Sequence, residues 1–411
     1  MVHQTMATRT TRASKASSRI NSMRQTWRWL GPAILGTLAG CGGVPLIVEQ
    51  GPAGPVPPQA AADVAAPAAA PADGPVLVRG RSRWVPVGWE ELPGFEEDAL
   101  HEAWNAWLKS CERPPAPLAA LCPQVRQLAI APPEEQRAWL RRQLQPYRVE
   151  SHGGAAEGLL TAYYEPVFEA RRQAAPGFGV PLYAPPPGLG QRRPWHTRQE
   201  IDTQPVVRAQ LQGREIAWLA DPVDALVLQI QGSGRLRLTE PDGQRKLVRL
   251  AYAATNDQPY RSVGSWLLQQ GAVRDASWPG IKAWVRANPQ RVQEMLWSNP
   301  RVVFFREEPL AGFDAAFGPR GAQGVPLTPG RSIAVDRESV PYGTPVWLAS
   351  TGPQLELRRL VLAQDTGSAI VGAVRVDWFT GWGQEAGELA GRLKQPVRMW
   401  VLWPRGGPPP G

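Results

Sequence analysis

The chain is poor in the residues on which much protein chemistry depends. It has only three cysteines, four histidines and five lysines in 411 residues. Cys41, Cys111 and Cys122 are too few for a disulfide framework, and His3, His101, His152 and His196 have no metal-ligand spacing, so no metal site is expected. Nearly all of the 45 basic residues are Arg, which in a chain this rich in Ala, Gly and Pro reads as coding bias as much as a binding surface. Six of them fall in residues 1–40 without one acidic partner, and without these the formal charge of +9 drops to +3. A removable basic leader is not a basic face, so no nucleic-acid partner is expected. Also absent are a Gly-x-Ser-x-Gly elbow, a phosphate loop ending Gly-Lys-Ser/Thr, a His-Glu-x-x-His pair and a Gly-x-Gly-x-x-Gly turn. Nucleophilic serine, nucleotide and zinc chemistry lose support accordingly, and no cofactor is expected.

What the chain has in excess is proline and glycine, 44 and 41 residues, which favour turns and β structure over long helices. Its length corresponds to two or three domains with a sizeable core. From Met23, a second candidate start, a short basic segment precedes the apolar run Trp29–Ala39 and then Leu38-Ala39-Gly40-Cys41. That run is too short to span a bilayer stably and reads as a secretion signal over residues 1–40. Leu-Ala-Gly-Cys resembles a bacterial lipobox, which makes Cys41 the expected lipidation site; an ordinary cleavable signal with a chance Cys is the alternative. Gly42 after that Cys, by resemblance to Gram-negative lipoproteins, favours the periplasmic face of the outer membrane. Residues 41–75 are Ala- and Pro-rich with almost no charge, as in an extended, disordered tether. Cys111 and Cys122 either close a short loop or form a buried reduced pair.

In the remainder, patterning predicts helices over 97–110, 132–145, 262–270, 281–287, 290–297 and 384–393. It predicts a strand from Gly158 and short strands over 301–306, 332–336, 344–349, 357–364, 373–379 and 397–403, spaced as in a closed barrel or sandwich. Residues 171–194 read as loop. Residues 225–238 read as a hairpin turning at Gly232-Ser233-Gly234, with Gln229 and Gln231 as hydrogen-bond partners for a ligand amide or hydroxyl.

Carboxylates set in apolar strands stand out: Asp336, Asp365 and Asp377. An Asp among Val, Trp and Phe loses solvation, which raises its pKa and lets it hold a proton as a general acid; Asp377 fits this best. A strand-end Asp capping a turn is the ordinary alternative for each. Asp365-Thr-Gly-Ser also resembles the aspartic-protease signature, but that chemistry needs two carboxylates sharing a proton and only one copy is present, so it would require a homodimer. Trp347, Trp378, Trp382, Trp400 and Trp403 lie among the same strands and are expected mostly in the core.

Six collinear segments then match one family: Thr161-Ala-Tyr-Tyr-Glu-Pro, Leu228-Gln-Ile-Gln-Gly-Ser-Gly-Arg-Leu, the run from Tyr252 to Gly264, Asn299-Pro-Arg-Val-Val-Phe-Phe, Val325 to Asp336, and Ala363-Gln-Asp-Thr-Gly-Ser-Ala-Ile. From about residue 90 to 405 the chain resembles the membrane-bound lytic murein transglycosylase A family. The resemblance implies a mainly β fold: a double-psi β-barrel with an inserted second β domain, a few short helices and the disordered N-terminal tether. It divides the chain into 76–165, first part of the barrel; 166–300, the inserted domain; and 301–411, second part of the barrel with a three-Asp module. It implies peptidoglycan glycan strands as substrate, an outer-membrane anchor and other cell-wall enzymes as partners. Asp377 becomes the sole catalytic acid and base, with Asp365 and Asp336 supporting it and Thr161, Tyr164, Gln229 and Ser233 lining the groove. An expansin-like, non-catalytic wall-binding lipoprotein is the alternative on the same barrel. Ala162 and Ser368 stand where the family more often has Gly.

Overall fold

The computed structural model describes residues 74–310 and 312–408. The leader, Cys41 and the Ala/Pro tether lie outside the described residues. The chain forms two sheets. Strands β1 (Leu77–Val78), β2 (Arg83–Pro86), β3 (Leu144–Glu150) and β4 (Gly158–Glu165) begin the first. The chain then builds the second from β5 (Val167–Arg171), β6 (Val180–Tyr183), β7 (Glu215–Leu219), β8 (Gly234–Thr239), β9 (Arg245–Thr255) and β10 (Val303–Pro309). It returns to the first with β11 (Ser332–Val335), β12 (Pro345–Thr351), β13 (Glu356–Asp365), β14 (Arg375–Trp382) and β15 (Lys394–Pro404).

The first sheet runs β1-β2-β3-β15-β12-β13-β11-β14-β4, and β15 also pairs with β4. That extra pairing closes six strands, β4, β14, β11, β13, β12 and β15, into a barrel. Closure removes the free edges that an open sheet would expose. Two of its pairs are parallel, β4 with β14 and β11 with β13. This is the expected mainly β architecture of a barrel with a second β domain. The barrel strands alternate in the way that fills a small interior: Leu160, Ile333, Val335, Val346, Leu348, Val361, Val376, Val397 and Val401 pack together within it.

Against the outside lies the helix Leu100–Ser110, whose Trp104 and Trp107 share a core with Trp139, Trp347 and Trp400. Arg331, 1% exposed, fastens that helix to the barrel through paired contacts with Asp98 at 2.8 Å and the carbonyl of Leu360 at 3.0 Å. Cys111 and Cys122 are joined as a disulfide with Cα atoms 5.6 Å apart, which settles the pair as oxidised. Closing so short a loop restricts the unfolded chain by about 2–3 kcal/mol on the chain-entropy model.

Three sequence expectations are corrected. Residues 225–231 are not the first arm of a hairpin but part of a helix, Pro222–Gln231. Asp221 caps it, its side chain accepting the Val223 N–H at 2.8 Å; Pro222 opens it and Gly232, at φ +79°, ends it in the left-handed region. The apolar run looked like a strand because the helix is buried on two sides. Ala225 and Leu228 face the second sheet, while Val223, Leu226 and Val227 face a helical cluster around Leu267, Ile281 and Met295. Residues 171–194, read as loop, contain β6. The boundary expected at residue 300 comes one strand early, because β10 pairs antiparallel with β9 over its whole length and belongs to the second sheet.

Candidate active site

The register of four neighbouring barrel strands sets up the site. Asp365 on β13 lies opposite Ala334 on β11, Ala334 lies opposite Asp377 on β14, and Asp377 lies opposite Thr161 on β4. The result is one row, Asp365–Ala334–Asp377–Thr161, across the barrel wall. With strands about 4.8 Å apart, the two aspartate backbones stand two strand spacings, roughly 10 Å, from each other. All four residues line a cavity of about 820 Å³. Its opposite wall comes from the second sheet and its helices, including Gln229, Ser233, Tyr252, Tyr260 and Arg301.

The two carboxylates live differently. Asp365 is fully engaged: Oδ1 accepts from the backbone N–H groups of Ala322 and Thr366, both at 2.9 Å, and Oδ2 accepts from the Tyr163 hydroxyl at 2.9 Å. Burial nonetheless pushes its pKa from 3.8 up to about 6, against the pull of those donors, with the charge of Asp377 adding a smaller push. Asp377 accepts one hydrogen bond, from the Thr161 hydroxyl to Oδ1. Its other oxygen has no partner among the described residues. Burial again raises its pKa, while Thr161 and then the Arg375 charge restrain the rise. Arg375 also donates to Thr161 Oγ1 at 2.9 Å, so guanidinium, hydroxyl and carboxylate form a chain ending on Asp377. The guanidinium itself is pinned by the Val376 carbonyl at 2.6 Å.

The cavity therefore brings together Asp377, Asp365, Thr161, Gln229 and Ser233 from the sequence candidates. Gln229 and Ser233 reach it from the end of a helix; Gln229 accepts from Arg198 at 2.7 Å, which fixes its amide. Two candidates are elsewhere. Asp336 follows the last residue of β11 and caps a turn, accepting the N–H groups of Glu338 at 3.0 Å and Gly372 at 2.9 Å and pairing with Arg81 at 2.9 Å. It borders a separate cavity of about 280 Å³. Tyr164 is one residue out of phase. On a strand, Thr161 and Tyr163 share a face and Tyr164 takes the other, where its ring lies against Gly387 of the helix Gly383–Arg392. Tyr163 is thus the cavity tyrosine that the reading missed, and strand period was the signal for it. The same period gives Arg375, two positions before Asp377. The aspartates do not form a shared-proton dyad within the chain, since each has its own donors and β11 separates them. Trp347, Trp378, Trp400 and Trp403 are buried in the core, and the aromatic rings lining the cavity are Tyr163, Tyr252 and Tyr260.

Comparison with known proteins identifies the family. Residues 159–306 match the model of the MltA specific insert domain, and residues 331–403 that of the 3D domain. The membrane-bound lytic murein transglycosylase A of Vibrio cholerae is 34% identical over 262 residues, 61% of this chain and 67% of that protein. The chain belongs to the membrane-bound lytic murein transglycosylase A family. Among solved structures, the lytic transglycosylase LtgG of Burkholderia pseudomallei is 41% identical with a TM-score of 0.56, covering 82% of this chain and 99% of its own. E. coli MltA with bound chitohexaose is 26% identical with a TM-score of 0.61, covering 74% and 89%. The insert-domain match begins within β4 of the barrel and runs through the second sheet into β10, and the 3D match is confined to β11–β15. Among the described residues no cluster of His, Cys, Asp and Glu is arranged to hold a metal ion, and no helix is long and apolar enough to cross a membrane.

Proposed function

We propose that this chain is a lytic transglycosylase that cleaves the β-1,4 bond between N-acetylmuramic acid and N-acetylglucosamine in peptidoglycan, with Asp377 as both acid and base. The protonated carboxyl gives its proton to the glycosidic oxygen as the C1–O bond breaks. The muramyl C6 hydroxyl closes onto C1, and its proton passes to the Asp377 carboxylate, which restores the acid and leaves a 1,6-anhydro end. An internal nucleophile removes the need for a second carboxylate to activate water, which hydrolases supply across the bond. The observation that carries this reading is the unequal engagement of the two aspartates: Asp365 has three donors on it, whereas Asp377 keeps an oxygen open to the cavity. Burial favours the proton on Asp377, and Thr161 with Arg375 keeps the carboxylate form within reach for the second step. The chitohexaose bound by the E. coli relative supports a glycan as the ligand class.

Asp377→Asn keeps the shape of the side chain and removes the titrating group. Its release of anhydromuropeptides from purified sacculi should fall by at least about 1,000-fold with an unchanged melting transition. Full release by that variant would refute Asp377 as the acid, whereas wild-type protein that binds sacculi and releases nothing would return the site to the non-catalytic wall-binding reading. We also assign the chain to the outer membrane through a lipid on Cys41, where other cell-wall enzymes are its neighbours. Cys41→Ala should shift it from the membrane to the soluble fraction on cell fractionation, and unchanged membrane recovery would count against the anchor.

A further inference from the structure

The cavity carries more positive charge than its proposed chemistry uses. Five arginines line it: Arg113, Arg301, Arg306, Arg320 and Arg375. Arg375 is committed to Thr161 and Asp377, and Arg306 is neutralised by Glu308 at 2.8 Å. The other three have no carboxylate partner among the described residues. Arg301 is held by neutral acceptors, the Gln258 carbonyl at 2.7 Å and the Ser368 hydroxyl at 2.8 Å. Arg320 donates to the Gly324 carbonyl at 3.0 Å. Arg113 makes no hydrogen bond through its guanidinium among the described residues; it lies over the same Gly324, so close that a Cβ there would sit 2.8 Å from Nη1. Two cationic heads therefore gather on one loop residue without a counter-charge among the described residues, and a third, Arg301, joins the same cavity lining from just before β10.

These charges are not spent on the aspartates either. Among the described residues Arg375 is the cation that acts on Asp377, and Asp365 is governed by burial, by its three donors and by Asp377. Elsewhere in the described structure Arg172 is matched by Glu240 and Glu307 and Arg331 by Asp98, while Arg198, buried beside the cavity, is held by neutral acceptors, the Gln229 side-chain oxygen and the Asn299 carbonyl, and so adds to the positive charge there. Uncompensated charge of one sign gathered around a concave surface sets up a positive potential in it. A backbone of N-acetylated sugars is neutral and gains nothing from such a potential. Carboxylates carried by the glycan do, and guanidinium matches them with paired donors.

Resting on the peptidoglycan reading of the site, we infer that Arg113, Arg301 and Arg320 form an anion-selecting rim that recognises carboxylates displayed along the glycan strand. Two sources present this chemistry: the peptide stems, and the lactyl carboxyl that removal of a stem uncovers. The rim makes the enzyme selective for charged wall glycan over neutral amino-sugar polymers of the same backbone geometry.

The test is equilibrium binding by calorimetry, using the full chain carrying Asp377→Asn so that no turnover intervenes. The probes are a stem-bearing wall hexasaccharide, the same strand stripped by an amidase, and chitohexaose. At least one charged strand should bind about tenfold tighter than chitohexaose, with the advantage shrinking in high salt. A larger gain with stems assigns the rim to the peptide; equal gains assign it to the lactyl group. Arg113→Gln with Arg320→Gln, both at exposed positions, should remove most of the advantage, Arg301→Gln the remainder, and the corresponding Lys variants should retain it. Equal affinity for all three probes, or an advantage indifferent to the Gln substitutions, overturns the inference. Sacculi that yield no anhydro product while charged strands still bind preferentially would strike the proposed reaction and leave the rim standing.

Discussion

Burial drives Asp377 toward its protonated form, and the Arg375–Thr161 chain pulls it back. A carboxyl subject to burial alone holds its proton too firmly to be a good donor, and one paired directly with an arginine has no proton to give. Placing a hydroxyl between cation and carboxylate transmits the cation's influence in weakened form. Arg375→Met removes the positive charge and leaves the Thr161 hydroxyl unoriented. Since Arg375 lowers the Asp377 pKa, its loss raises that pKa further. The alkaline limb of the kcat profile, where activity falls as the acid loses its proton, should move to higher pH, and the plateau should drop by roughly tenfold because a weaker acid donates less readily. Arg375→Lys should restore the position of the limb. A lower plateau with the limb unmoved would mean that Arg375 only packs the strand and does not tune the acid.

At the scale of the element, what could be read from the sequence depended on how many faces the element buries. The barrel strands β11 to β15 were legible within one to three residues, because short apolar runs between Gly- and Pro-rich turns have few other uses. Asp365 and Asp377 were legible for the same reason, as charges interrupting those runs. The helix Pro222–Gln231 was not, since burial on two sides erases the 3.6-residue period that would distinguish it from a strand; the signals that remained were its ends, Asp221-Pro222 and Gly232. The arginine rim left no local trace, for its members come from distant loops that only the fold brings together. Register likewise exists only in the folded sheet, and it gives Ala334 its role. Between Asp365 and Asp377 stands a single methyl group, 3% exposed, on the cavity floor. A β-branched residue suits a strand, so Ala334→Val should stay within about 1 kcal/mol of the parent in urea unfolding. Its two added methyl groups intrude where a sugar ring would lie over the row, and kcat/KM on sacculi should fall by about tenfold or more. Unchanged turnover in that variant would show that substrate does not reach the floor between the two acids.

At the scale of the whole molecule, the cavity has walls on two sheets, so its shape depends on how firmly those sheets are joined. Where β4 hands the chain to β5, Glu165 is fully buried and bonded to Arg235 at 2.7 Å and Arg249 at 2.6 Å, both from the second sheet. The same two arginines hold the returning segment through the carbonyls of Ala315 and Phe317 at 2.6 to 3.0 Å. Arg235 also lies 3.7 Å from the ring centre of Trp382, at the end of β14. One carboxylate thus gathers the outgoing strand, the incoming segment and the end of β14, which carries Asp377. Glu165→Gln leaves two buried guanidinium groups uncompensated, a loss of about 3–5 kcal/mol in denaturant unfolding. A buried ion triad can also be replaced by apolar residues of similar volume at little cost or with a gain in stability. Glu165→Leu combined with Arg235→Met and Arg249→Leu should therefore recover most of the stability that Glu165→Gln loses. It cannot recover the bonds to the Ala315 and Phe317 carbonyls, which tie the returning segment to the second sheet. The triple variant should consequently be stable yet show KM on glycan strands raised several-fold, with the pH dependence of kcat unaltered because Asp377 and its partners lie wholly within the barrel. Recovery of both stability and KM would reduce the triad to a stabilising contact; stability with KM still raised would make it the part of the fold that holds the groove to its working width.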